Sequence, residues 1–167
     1  MSRLVVLLSA AFALFAIAAH AADSALSDKA NAAFLEANGH KPGVVTRPSG
    51  LQYSIIRSGY GKRPAATDVV TAYYTGSLIN GTVFDATEAG FPANFTVNQL
   101  IPGWTEALEL MREGDHWQIV IPPDLAYGAR GAGDGKIPPN QVLVFDLELI
   151  KVSPPPKDEK DQNSPQQ

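Results

Sequence analysis

The sequence contains no cysteine. That absence excludes disulfides, thiolate nucleophiles, cysteine-ligated zinc and a lipidated cysteine behind a leader. Histidine is scarce: His20, His40 and His116 are the only three, and no pair has metal-ligand spacing. No glycine-rich phosphate loop follows a strand and opens a helix, and no nucleophile elbow surrounds a serine. Nothing in the pattern implies a cofactor or a metal. Positive charge is also short. Thirteen Lys and Arg stand against seventeen Asp and Glu, a formal charge of −4 with a pI near 5.3. Nucleic acid is thereby disfavoured as the main partner, because phosphate binding needs a basic surface.

Long apolar runs are absent except at the start. Met1 to Arg3 is short and positive, Leu4 to Ala18 carries no charge, and Ala19-His20-Ala21 fits the small-x-small cleavage rule. This layout predicts a secretory signal peptide over residues 1–21. The run falls below the roughly 20 residues a spanning helix needs, so no membrane span is expected after cleavage. With 45% hydrophobic residues, the remainder can build a packed core.

Residues 22–49 read as a helical lead-in and linker. Ser27 can cap a helix over Asp28 to Asn38, with Gly39 as a left-handed stop. Ala30, Phe34 and Ala37 share a face, with Ala33 beside them. Such a helix either packs on the domain, pairs with another copy or frays. Pro42, Gly43, Pro48 and Gly50 mark 40–50 as linker. From Leu51 the pattern turns to strands: Leu51 to Arg57, then Asp68 to Leu78, with Val70, Ala72, Tyr74 and Leu78 on one side. Asn80-Gly81 signals a hairpin returning through Thr82 to Asp85. Gly103 to Met111 reads as a helix whose Trp104, Ala107, Leu108 and Met111 form one apolar stripe. Asp115 to Ile121 is a further strand. Residues 124–141 hold four glycines and two prolines, and a loop that long inside a compact domain is usually functional or disordered. Val142 to Val152 is the last strand, with Leu143, Phe145, Leu147 and Leu149 inward. Residues 153–167 read as a disordered polar tail. The sum is an α+β domain: an antiparallel sheet wrapped over one short central helix, with a short N-terminal helical extension.

Tyr74-Thr75-Gly76, Gly81-Thr82-Val83-Phe84-Asp85, Ile101-Pro102-Gly103-Trp104, Ala126-Tyr127-Gly128, Ile137-Pro138-Pro139 and Leu143-Val144-Phe145-Asp146 stand in this order. In order and spacing they resemble FKBP-type peptidyl-prolyl cis-trans isomerases, over residues 50–152. The leader, the helical lead-in and Ser49-Gly50-Leu51-Gln52-Tyr53 resemble most the exported bacterial macrophage infectivity potentiator branch. The resemblance implies a strongly twisted sheet and a substrate proline held between sheet and helix, on Trp104. It implies a pocket walled by Tyr74, Phe84, Leu100, Ile101 and Phe145, with Asp85 at its edge and Ile137 closing the rim. Tyr127 is expected to offer its hydroxyl, and Ile101 its backbone N–H, to substrate carbonyls. Asp85, Tyr127, Phe84 and Tyr74 are the expected catalytic group. Read without the resemblance, Trp104, Leu108, Phe145 and Tyr74 are ordinary core.

The same resemblance implies turnover of X-Pro bonds in a periplasmic or secreted setting, with inhibition by the macrolides tacrolimus and rapamycin. A chaperone module that holds proline-containing segments with little turnover is the alternative. The single short lead-in helix implies a monomer or weak homodimer. Two departures from the eukaryotic members stand out. No arginine follows Asp85 to pair with it. The wall position near Pro92 that is often aromatic is read as Ala93, leaving that side wider unless Phe91 compensates.

Overall fold

Leu143, Phe145, Leu147 and Leu149 are all 5% exposed or less and alternate with Val144, Asp146 and Glu148, which face away from the core. This period of two builds the central strand. The computed structural model describes residues 25–155. The expected signal peptide, and the tail beyond Pro155, lie outside the described residues. Seven strands form one antiparallel sheet: β1 (Val44–Thr46), β2 (Gln52–Arg57), β3 (Val69–Leu78), β4 (Val83–Ala86), β5 (Ala93–Thr96), β6 (His116–Ile121) and β7 (Leu143–Ser153). Their spatial order is β1-β2-β6-β7-β3-β4, and β5 pairs with β3. The register of β3 on β7 shifts between Thr71 and Ala72, opposite Lys151 and Leu149. The extra residue, Ile150, is left exposed, so Leu149 and Val152 both stay inward.

Helix α1 spans Asp28–Gly39 and α2 spans Pro102–Leu110. Pro102 opens α2, where a missing N–H is harmless. Trp104, Ala107 and Leu108 on α2, with Met111 just past its end, are 4% exposed or less and pack with Val70, Ala72, Ile119, Ile121 and Leu147 into one core. Gly103 makes the close approach possible, since a Cβ there would lie 2.4 Å from Ile121 Cγ2. Past the helix, Gly114 turns the chain at φ +93°. The Asp115 carboxylate accepts the N–H groups of Arg112 and Gly59.

Four expectations change. Residues 40–50 are not all linker, because β1 pairs with β2. Strand β5 was not anticipated. Gly39 is no left-handed stop: His40 caps α1 in the right-handed region, and the positive φ falls at Gly43. The Ala30, Ala33, Phe34 and Ala37 face of α1 is not what docks. Ala33 and Ala37 are exposed, and the buried residues are Asn31 and Asn38. The Asn31 side chain accepts from Val142 N–H at 2.8 Å and donates to Gln141 Oε1 at 3.2 Å. Asn38 donates to Gln52 Oε1 at 2.8 Å, and Gln52 donates back to the Leu35 carbonyl. The helix is therefore attached through amides that satisfy buried backbone groups, not through an apolar stripe.

Candidate active site

The open end of the core, where the start of α2 meets β3, β4, β5 and β7, is a cleft lined by Tyr74, Phe84, Asp85, Phe95, Leu100, Ile101, Trp104, Tyr127 and Phe145. Its cavity of about 120 Å³ is well below the roughly 300–1,000 Å³ of sites for drug-sized ligands, and its size suits a single small ring. Alternation brings Tyr74 from β3 and Phe145 from β7 to the same face, and the N-terminal turn of α2 presents Trp104 to them. The indole sits at the centre of an edge-on array. Tyr74, Phe95 and Phe145 approach it with centroids 5.3, 5.6 and 5.2 Å away and planes at 89°, 71° and 88°. Phe84 stands edge-on to Phe145 at 5.6 Å. This T-shaped geometry lets the weakly positive ring edges meet the negative faces.

Gly76 makes room for two of these rings. It pairs with Phe145 on one side and Asp85 on the other. A Cβ there would lie 2.6 Å from Phe145 and 2.7 Å from Phe84. The glycine is thus required by close approach, not by its backbone angle.

Asp85 is the one charged group in the lining. Where no arginine was found to pair with it, the structure supplies a phenol: Tyr74 Oη donates to Asp85 Oδ2 at 2.6 Å. Burial, and then the bond to Asp85, raise the Tyr74 pKa well above the ordinary phenol range. The hydroxyl is consequently a donor at any physiological pH. Since the folded pKa exceeds the unfolded value near 10, the associated stability is complete below about pH 10 and is lost as pH rises beyond it. An alkaline titration of phenolate absorbance should show one tyrosine ionising last. Tyr74→Phe should remove that lagging step, and an unchanged curve would contradict the assignment.

Two residues of the lining carry a donor without a partner among the described residues. Tyr127, 39% exposed, follows the 3₁₀ turn Pro123–Leu125, and its hydroxyl bonds no other described residue. The N–H of Ile101, immediately before α2, finds no acceptor, while its carbonyl accepts from Trp104 and Thr105. No cluster of His, Asp or Glu among the described residues could hold a metal ion. The arrangement can seat a ring on the indole, exclude water around it and hydrogen-bond two carbonyls.

Eight of the nine residues named from the sequence come together here. Ile137 does not. It is 6% exposed, packs in the core and is absent from the lining. It exchanges both backbone hydrogen bonds with Ala132 and so closes the long loop on itself. The wall beside Pro92 is filled by Phe95, which the sequence reading passed over. Ala93 is not in the lining, and Phe91 points outward at 73% exposure. The available signal was the alternation through Ala93, Phe95 and Val97 into Leu100.

The profile described as FKBP-type peptidyl-prolyl cis-trans isomerase matches residues 61–150. The profile of the domain amino terminal to FKBP-type peptidyl-prolyl isomerase matches residues 8–55. The chain is 59% identical over 121 residues to the outer membrane protein MIP of Legionella longbeachae, covering 72% of this chain and 52% of that protein. It is 53% identical over 120 residues to the FKBP-type 22 kDa peptidyl-prolyl cis-trans isomerase of Escherichia coli K12, covering 71% and 58%. The chain thus spans about half the length of the curated relatives it matches. Among solved structures, a peptidyl-prolyl cis-trans isomerase from Pseudomonas syringae superposes with a TM-score of 0.71 at 41% identity, covering 78% of this chain and 95% of that one. FkpA from Escherichia coli superposes with a TM-score of 0.72 at 38% identity, covering 89% and 71%.

Proposed function

The chain belongs to the family of FKBP-type peptidyl-prolyl cis-trans isomerases, and from that membership we propose that it accelerates rotation about X-Pro bonds in polypeptides, with the cleft around Trp104 as the active site. The observation that carries this reading is the buried indole, ringed edge-on by three aromatics, with two hydrogen-bond donors in the same lining that have no partner among the described residues.

Rotation about a peptide bond faces a barrier of about 18–20 kcal/mol set by amide resonance. No covalent bond breaks, so catalysis requires only that the twisted amide be preferred over both planar forms. Twisting removes resonance and with it part of the carbonyl's negative charge. Such a state loses less than a planar amide does on leaving water for an apolar cleft. The proline ring rests on Trp104, between Tyr74, Phe95 and Phe145. Tyr127 Oη and Ile101 N–H bind carbonyls of the substrate and fix its orientation. Ring edges of Phe84 and Phe145 hold the displaced carbonyl. The Asp85 carboxylate, fixed by Tyr74, positions that wall and polarises the site. Because uncatalysed isomerisation takes tens to hundreds of seconds, even modest acceleration matters to a folding chain.

The leader-like segment and the match to an outer membrane protein support export. The mature chain is proposed to be a monomer or weak dimer, which light scattering decides. Proline-containing polypeptides are the substrates, and tacrolimus and rapamycin bind over the same cleft, which has room for one ring of each.

A protease-coupled assay on a Phe-Pro peptide tests the activity. The protein should accelerate the slow phase, and tacrolimus should abolish the acceleration. Asp85→Ala and Tyr127→Phe should each lower kcat/KM by about 10-fold or more, the scale of one charged or well-placed hydrogen bond. No acceleration by the pure protein would reject the enzymatic reading. Full activity in either variant would reject that residue's role.

A further inference from the structure

A second cavity, of about 350 Å³, opens at the other end of α2. Leu110, the last residue of the helix, lines it together with Trp117 on β6 and Tyr53 on β2. Trp104 and Leu110 lie six residues apart on α2, about 9 Å along the axis, so the two cavities sit at opposite ends of one helix. Two features of the second cavity point to a ligand. Its wall is aromatic: Tyr53 stacks on Trp117 with centroids 4.4 Å apart and planes at 13°. Arg63 and Arg112 line the same cavity, and neither forms an ion pair with a carboxylate among the described residues. The carboxylate of Asp115, also in the lining, is already engaged by the N–H groups of Gly59 and Arg112. The local balance is therefore positive, with planar guanidinium groups suited to carboxylate oxygens.

We propose that this cavity binds a carboxylate carried on an aromatic or aliphatic group of a polypeptide, with Arg63 and Arg112 holding the anion and the Tyr53–Trp117 stack receiving the apolar body. Ile55, 52% exposed in the lining, extends the apolar floor outward. The ligand so described is a peptide segment in which an acidic group adjoins an apolar side chain, bound away from the catalytic cleft.

The chain has only two tryptophans, one in each cavity, so two indole N–H resonances report the two sites separately. Titration of N-acetyl-phenylalanine, at its carboxylate pH, into the full chain should move the Trp117 indole resonance saturably. Its primary amide should bind at least about tenfold more weakly, the loss of one charge-assisted contact. The Arg63→Gln/Arg112→Gln double variant should weaken binding by at least about tenfold while leaving the Trp104 resonance and the isomerase assay unchanged. An acetylated Phe-Glu-Phe amide tripeptide should bind at the same indole, which separates a peptide-borne side-chain carboxylate from a free small acid. Trp117→Phe should weaken binding too, and the arginine variants carry the test if that variant folds poorly. No saturable movement up to about 10 mM, equal binding of the amide, an undiminished response in the arginine double variant, or failure of the tripeptide would each overturn the proposal. None of these results bears on whether the catalytic cleft turns over proline bonds.

Discussion

Replacing Gly76 with alanine is expected to lower kcat/KM on a Phe-Pro peptide by about 10²-fold, the loss that a misplacement near 1 Å produces at a reacting centre. The added methyl would sit 2.6 Å from Phe145 and 2.7 Å from Phe84, closer than carbon atoms pack. Both rings belong to the cleft, and Phe145 leans edge-on against Trp104, so the displacement is passed to the floor. The position has no positive φ, hence the strand itself tolerates alanine. The stability loss should stay within about 1–3 kcal/mol, the usual range for an overpacked methyl. Circular dichroism and urea unfolding would show a folded protein beside the activity loss. Shrinking the neighbour in a Gly76→Ala/Phe84→Leu double variant should leave the two changes non-additive, because the residues touch. An alanine variant within about twofold of the parent would mean that the rings have another place to go.

Trp104→Ala should have the larger effect on stability. The indole is 4% exposed, and three rings rest against it. Truncating a buried aromatic of this size costs about 3–5 kcal/mol through lost burial and the void left behind. That is a large share of the roughly 5–15 kcal/mol by which domains are stable. Activity should fall with it, because the same atoms form the seat for the ring. The midpoint of urea unfolding should drop while its slope stays constant. Trp104→Leu, which keeps part of the volume, should recover stability more than activity. If the alanine variant lost less than about 1 kcal/mol, the indole would not be the hub that the geometry makes it.

Strands β3 and β7 and helix α2 were legible because each shows a single period over enough residues to bury one face, and β6 because its apolar run ends at Pro122-Pro123. Strands β1 and β5 were not. They have three and four residues, lie among prolines and glycines, and take their pairing from longer neighbours. Helix α1 was placed correctly but its docking face was misread. Hydrophobic patterning is blind to Asn31 and Asn38, whose amides satisfy Val142 and Gln52 at long sequence separation. In the cleft, composition alone would have left Trp104, Tyr74 and Phe145 as core, and they do lie at the edge of the core. Their grouping was legible only through the order of short motifs. That order could not reveal Phe95, and it placed Ile137 at a rim from which the core withdraws it. The partner of Asp85 was equally hidden, because Tyr74 reaches it from the neighbouring strand, with no neighbouring cation in sequence to announce the pair.

The paired backbone of Ala132 and Ile137, with the isoleucine anchored inward, ties off Gly133 to Lys136 as a separate exposed lobe. New residues spliced into that lobe should hang from a knot the rest of the chain already holds shut. An affinity tag or a short recognition peptide placed there should therefore be displayed without disturbing Tyr127 or the catalytic cleft.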